Sequence, residues 1–125
     1  MPKVIDLFCG CGGVSLGFAR EGFKIVAGID NDQDALNTFS KNFPESKALN
    51  IDLSTTKDIN YKDFSNIDII LGGPPCQGFS IAGKRDSSDP RNNLCNSYIE
   101  LVKYINPKVV VIENVPNILN MANGI

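Results

Sequence analysis

The chain has 125 residues, 42% hydrophobic and 21% charged, with a formal net charge of -2. That is enough for one domain around one core, in an ordinary soluble globular composition. It excludes a membrane span, since "IIL" and "VVVI" are the longest apolar runs, and a strongly basic nucleic-acid binder, leaving any such contact to a local patch.

The opening "MPKVIDLF" lacks the basic region, long apolar stretch and cleavage site of a signal peptide. A cytoplasmic protein is expected. "VIDLF" (residues 4–8) is a short apolar strand that runs into the Gly cluster of "CGCGG". Residues 14–21 form a short helix that Gly22 closes. "KIVAGID" (24–30) is the second strand. Ala35, Leu36, Phe39 and Phe43 fall on one helical stripe, with Asp30, Asn31 or Asp32 as its cap and Pro44 as its stop. "KALNID" (47–52) is a weaker strand, and residues 55–66 are polar and ambiguous. "DIILGG" and "KVVVIEN" are nearly continuous β-branched runs, as strands buried on both faces are. Between them Leu94, Tyr98, Leu101, Val102 and Ile105 follow helical spacing, from Asn92 or Asn93 to just before Pro107.

This alternation implies an open parallel sheet with right-handed crossovers. Ligands of such sheets bind beyond the carboxyl ends of the strands. Four features fall on that rim: the Gly cluster after Phe8, Asp30, the Pro-Pro-Cys segment and Glu113. Any one of them could be a surface turn; four on one edge are harder to dismiss.

The Gly-rich turn allows positive φ and close backbone approach. The dinucleotide fingerprint needs G-x-G-x-x-G, and Gly10 and Gly12 are followed by Ser15 where the third glycine belongs. A pyrophosphate cradle is therefore poorly supported. Asp30 can accept from both hydroxyls of a ribose or cap the next helix. Asp52 reads as a solvated turn residue that could also accept from an adenine amino group.

The chain has no histidine and four cysteines, Cys9, Cys11, Cys76 and Cys95. Cys/His zinc patterns and the usual base of a Ser or Cys hydrolase are absent. No metal and no disulfide is expected. Cys9, Cys11 and Cys95 read as small, partly buried residues. Cys76 differs. It follows two prolines, which cannot continue a strand ladder, and so is presented rigidly at a strand end.

"DLFCGCGG", "GGPPCQGFS" and "IENV", in this order, resemble the cytosine-5 DNA methyltransferases over nearly the whole chain. The resemblance implies a Rossmann-like S-adenosylmethionine-dependent methyltransferase fold, with an incomplete parallel sheet of order 3-2-1-4-5 and helices on both faces. Residues 1–125 would be the N-terminal portion of the catalytic domain. It implies S-adenosylmethionine as methyl donor and S-adenosylhomocysteine as product. Phe8, Gly10, Cys11, Gly12 and Gly13 would line the methionine end. Asp30 would take the ribose, Asn31, Asp52 and Leu53 the adenine, and Pro75 and Leu94 would complete the pocket. A sulfonium cation suits an aromatic face such as Phe8, with carboxylates near, better than a pyrophosphate does.

Under the same resemblance Cys76 is the nucleophile on C6 of a flipped-out cytosine, and Glu113 contacts the exocyclic amine and N3. The loop carrying Gln77, Ser80, Lys84, Arg85 and Arg91 would contact double-stranded DNA, with Gly78 and Gly83 as hinges. The expected setting is restriction-modification in a bacterial or archaeal cytoplasm.

Members of that family continue past the equivalent of Ile125 with an arginine segment, a recognition domain and a segment that packs on the donor pocket. In the 3-2-1-4-5 order "VVVIE" is an edge strand, apolar on both faces with no helix after it. The chain is therefore expected to be a fragment or one subunit of a split enzyme, with a complementing C-terminal polypeptide. Three other readings stand beside this one. They are a tRNA cytosine-5 methyltransferase, an inactive donor-binding module, and a nicotinamide-binding oxidoreductase that Ser15 disfavours.

Overall fold

The computed structural model describes residues 1–54, 59–73 and 93–113. In chain order the elements are β1 (Lys3–Leu7), α1 (Gly13–Arg20), β2 (Lys24–Asp30), α2 (Gln33–Asn42), β3 (Lys47–Asn50), a 3-10 turn (Tyr61–Phe64), β4 (Ile69–Gly72), α3 (Asn93–Ile105) and β5 (Val109–Ile112). All strand pairs are parallel, and the order across the sheet is β3-β2-β1-β4-β5. The fold is the Rossmann-like arrangement that the sequence implied. The strands stop earlier than the apolar runs do, at Leu7 rather than Phe8 and at Asn50 rather than Asp52. The ambiguous 55–66 stretch contributes only the 3-10 turn among its described residues.

Side-chain alternation along β1 divides the core in two. Ile5 and Leu7 point to one face, with Ala27, Ile29 and Ile70, and pack against Phe64 and against Tyr98 and Leu101 of α3. Val4 points to the other face, with Ile25, Ile69 and Leu71, and packs against Leu36, Phe39 and Phe43 at α2 and Phe18 of α1. Burying each large apolar side chain contributes roughly 1.5–3 kcal/mol. α2 is capped by Asp32, whose Oδ1 accepts from the backbone N–H of Asp34 at 3.0 Å and Ala35 at 3.2 Å. This resolves the choice among three possible caps. α1 has no side-chain cap; Gly12 precedes it at φ 97, and Gly22 at φ 89 follows it.

β5 departs from the composition-based reading. A β-branched run of its kind is usually buried on both faces. Here Val109, Val110, Val111 and Ile112 are 49%, 36%, 37% and 53% exposed. Val14 of α1, which lines a cavity with Val111, is exposed as well. Among the described residues, no helix is long and apolar enough to cross a membrane.

Candidate active site

The carboxyl ends of the strands converge on one rim. Phe8 leaves β1 at φ 61, an unusual conformation for a bulky side chain and the kind of backbone strain that accumulates at functional sites. Its ring stacks on Tyr98 of α3, with centroids 6.4 Å apart and planes at 19°. The same ring walls a cavity of about 190 Å³ shared with Asp30, Asn31, Ile51, Leu53, Gly73 and Leu94. The cavity has an apolar part (Phe8, Ile51, Leu53, Leu94) and a polar end at Asp30 and Asn31. That suits a flat heterocycle attached to a hydroxylated sugar.

Asp30 organises the turn as much as it faces the cavity. Its Oδ2 accepts from Gly10 N–H at 2.8 Å, and its Oδ1 from Asn31 N–H at 2.8 Å and Asp32 N–H at 3.1 Å. An ionised carboxylate has about four acceptor positions. Three are therefore spent on backbone, which leaves room on Oδ2 for one ligand hydroxyl rather than two. Gly12 is required for packing. A Cβ there would lie 2.6 Å from the Phe43 ring and 2.9 Å from that of Phe39. Gly10, at φ 55, has open space around its Cα, as a backbone that approaches a ligand should.

Glu113 and the head of the Pro-Pro-Cys segment meet. The Glu113 N–H donates to Gly72 O at 3.0 Å. A Cβ on Gly73 would lie 2.8 Å from Glu113 Oε2, so only glycine lets the carboxylate come so close. Gly72 is constrained on the other side, where any Cβ would enter the Tyr98 ring. The Tyr98 hydroxyl donates to Val111 O at 3.2 Å and ties α3 to the edge strand. Burial raises the Tyr98 phenol above its ordinary range, and the Asp6 charge adds to that.

A second cavity of about 110 Å³ adjoins the first, lined by Asp6, Phe8, Cys9, Val14, Gly72, Gly73, Val111 and Glu113. Asp6 is 3% exposed, and its Oδ2 accepts from the Ser15 hydroxyl at 2.6 Å. Burial pushes its carboxyl up to about 6, against the lowering effect of that hydrogen bond. Burial likewise pushes the Cys9 thiol up to about 12, an inert structural cysteine rather than a nucleophile.

Of the residues the sequence assigned to a donor, Phe8, Asp30, Asn31, Leu53 and Leu94 line the first cavity. Gly10, Cys11, Gly12, Gly13 and Asp52 do not. Cys11, read as partly buried, is exposed, because the turn carries it outward between the two glycines. Asp52 accepts from Ser54 N–H at 2.9 Å, and that bond holds its exposed carboxyl below the usual range. Cys76, Pro75, Gln77, Ser80, Lys84, Arg85 and Arg91 lie outside the described residues. Ile51, Gly73 and Asp6 were not singled out by the sequence. Ile51 and Gly73 carried a usable signal, as each directly adjoins a residue assigned to the rim.

Comparison with known proteins bears on the family and the fold. The family model for C-5 cytosine-specific DNA methylase matches residues 2–125. Type II methyltransferase M.DdeI of Desulfomicrobium norvegicum is 44% identical over 95% of this chain and 29% of its own length. Type II methyltransferase M.HgiGI of Herpetosiphon aurantiacus is 45% identical over 90% of each chain. A solved structure encoded within an E. coli prophage, described as a DNA modification methyltransferase, superposes with a TM-score of 0.79 at 39% identity. That match covers 98% of this chain and 38% of the other. The chain thus spans about a third of M.DdeI and of the prophage structure.

Proposed function

The chain belongs to the C-5 cytosine-specific DNA methylase family, and from that premise we propose that it supplies the methyl-donor pocket and attacking cysteine of a DNA (cytosine-5-)-methyltransferase. The observation that carries this reading is the contact of Glu113 with Gly73. Gly73 is three positions before Cys76 and walls the cavity that Phe8 and Asp30 share. On this reading an acid, a donor pocket and the approach to a nucleophile share one rim.

The cavity residues fit S-adenosylmethionine, which supplies a methyl group on a sulfonium. Phe8 offers the cation an aromatic face. Asp30 accepts from a ribose hydroxyl through its remaining position. Ile51, Leu53 and Leu94 enclose the adenine. The Cys76 thiolate forms a bond to C6 of cytosine, which makes C5 nucleophilic. Glu113 holds the exocyclic amine and the N3 proton, so negative charge does not build up on the ring. After C5 is methylated, a base takes the C5 proton, the 5,6 double bond re-forms and the thiolate leaves. The target base must leave the duplex to be reached. Lys84, Arg85 and Arg91 are assigned to phosphate contacts and Gln77 and Ser80 to the space the base vacates.

We further propose that turnover needs polypeptide beyond these residues. The exposed β5 run (36–53%) and the greater length of M.DdeI support this. The test is a covalent adduct. The chain is mixed with S-adenosylmethionine and duplex DNA carrying 5-fluorocytosine, alone and with the C-terminal two-thirds of a related methylase. A denaturation-resistant adduct that Cys76→Ser abolishes is expected in the second mixture. Absence of adduct in both, with folding and donor binding confirmed, rejects catalysis by Cys76 and leaves a donor-binding module. Transfer to tRNA in place of DNA would reassign the substrate.

A further inference from the structure

Ser15 and Asp6 are the features of the rim that the proposed chemistry does not use. Ser15 stands where a dinucleotide-binding turn has its third glycine, and its hydroxyl reaches under the Gly-rich turn to Asp6 Oδ2 at 2.6 Å. The carboxyl is 3% exposed. The titratable groups around it are Asp30 at the end of β2, Cys9 in the turn, Tyr98 on α3 and Glu113 after β5. None of these is a cation. A buried carboxylate among acidic neighbours is costly unless positive charge comes close. The two cavities share Phe8 and Gly73. Asp6 therefore lines a cavity that shares Phe8 and Gly73 with the pocket assigned to the donor.

We infer that Asp6, oriented by Ser15, is the carboxylate that makes this pocket favour the cationic donor over its neutral thioether product. This rests on the donor reading above. S-adenosylmethionine and S-adenosylhomocysteine share adenine, ribose and the amino-acid end. They differ by one methyl group and one positive charge. Contacts with Asp30 or Leu53 bind both alike, whereas a buried negative charge favours the sulfonium form through a low-dielectric path. The same charge opposes a pyrophosphate, consistent with a serine in place of the third glycine. Asp6 acts through the field and touches no reacting atom, so it is a specificity-determining residue.

The test is the ratio of the product dissociation constant to the donor dissociation constant, measured by calorimetry on the chain from pH 5 to pH 8. A general loss of structure weakens both ligands and cancels in the ratio. In the unaltered chain the ratio should fall by about fivefold as pH drops and Asp6 is neutralised. In Asp6→Asn it should start about fivefold lower and stay flat across the range. Ser15→Ala, a milder change, removes the bond that favours the charged form. The pH at which the ratio falls should then move upward, and this variant carries the test if Asp6→Asn does not fold. A folded Asp6→Asn or Ser15→Ala chain whose ratio and pH profile match the unaltered chain overturns the assignment. If the unaltered chain binds neither ligand, the donor reading itself fails, and this inference falls with it.

Discussion

β1 and β5 both place β-branched residues in one parallel sheet, yet their apolar side chains end in opposite environments. Val4, Ile5 and Leu7 of β1 are wholly buried between α1 and α2 on one face and α3 on the other. The four residues of β5 are all more than a third exposed. The rim is divided in the same way. The β1–β3 side has a capped helix, a braced Gly-rich turn and most of the wall of the Asp30 cavity. The β5 side holds Glu113 against Gly73 with Val111 and Ile112 still open to water. The donor binding proposed above draws mainly on the first of these two sides. Chemistry on a base is assigned to an edge whose apolar surface asks for a cover.

Large-to-small changes should separate the halves most strongly. Ile5→Ala, at a fully buried site, should cost about 2–5 kcal/mol in urea melts, as core truncations do. Ile112→Ala should cost less than about 1 kcal/mol in the chain alone. Its cost should rise when a complementing polypeptide covers β5. Equal costs in the chain alone would erase the distinction between the halves.

The next effect is pH-dependent. The Asp6 carboxyl is raised from 3.8 to about 6 in the fold. The folded state therefore holds its proton more tightly than the unfolded state between those values. Stability is fully present below the unfolded value and is lost as pH rises through about 6. The loss is about 3 kcal/mol for a shift of this size. With no histidine in the chain, few other groups interfere in that window. The carboxyls of Asp52 and of Asp68, which precedes β4 and accepts from Lys3 N–H and Lys108, are held low by their hydrogen bonds, and their contribution is lost only as pH falls through those lower values. Melts of Asp6→Asn from pH 5 to 7.5 should be nearly flat while the unaltered chain weakens.

Gly12→Ala places a Cβ against Phe39 and Phe43 at φ 97. Left-handed strain alone costs about 1–2 kcal/mol, and displacing α2 adds to it. Donor affinity should fall with stability, because α2 follows directly from Asp30 and Asn31. The smallest effect expected is at the cap. Asp32→Ala should cost about 1 kcal/mol and leave β5 unaffected.

Much of the β1–β3 half was legible in the sequence because its signals are local. Strand runs that end at glycine, a stripe at helical spacing and a carboxylate at a strand end each sit within a few neighbouring positions. What was missed depends on pairs distant in the chain. Gly73 fits Glu113 only after β5 pairs with β4. Ser15 looked like a failed glycine until β1 put Asp6 beneath its hydroxyl. Asp30 seemed free for two ribose hydroxyls until its three backbone donors were in place. The strain at Phe8 has no sequence signature, since a bulky residue is the last one expected at positive φ. The exposure of β5 was legible only through the strand order, which makes it an edge, because a buried-strand pattern shows what the residues need and not what covers them.

The central claim is that this chain forms a donor pocket on its own, and a calorimetric titration with S-adenosylmethionine tests it most directly. The account predicts saturable one-to-one binding, weakened about tenfold or more in a folded Asp30→Ala variant, which loses a charged hydrogen bond, and weakened again in Phe8→Ala. A folded chain that does not bind S-adenosylmethionine, or that binds it equally well without the Asp30 carboxylate, would contradict it.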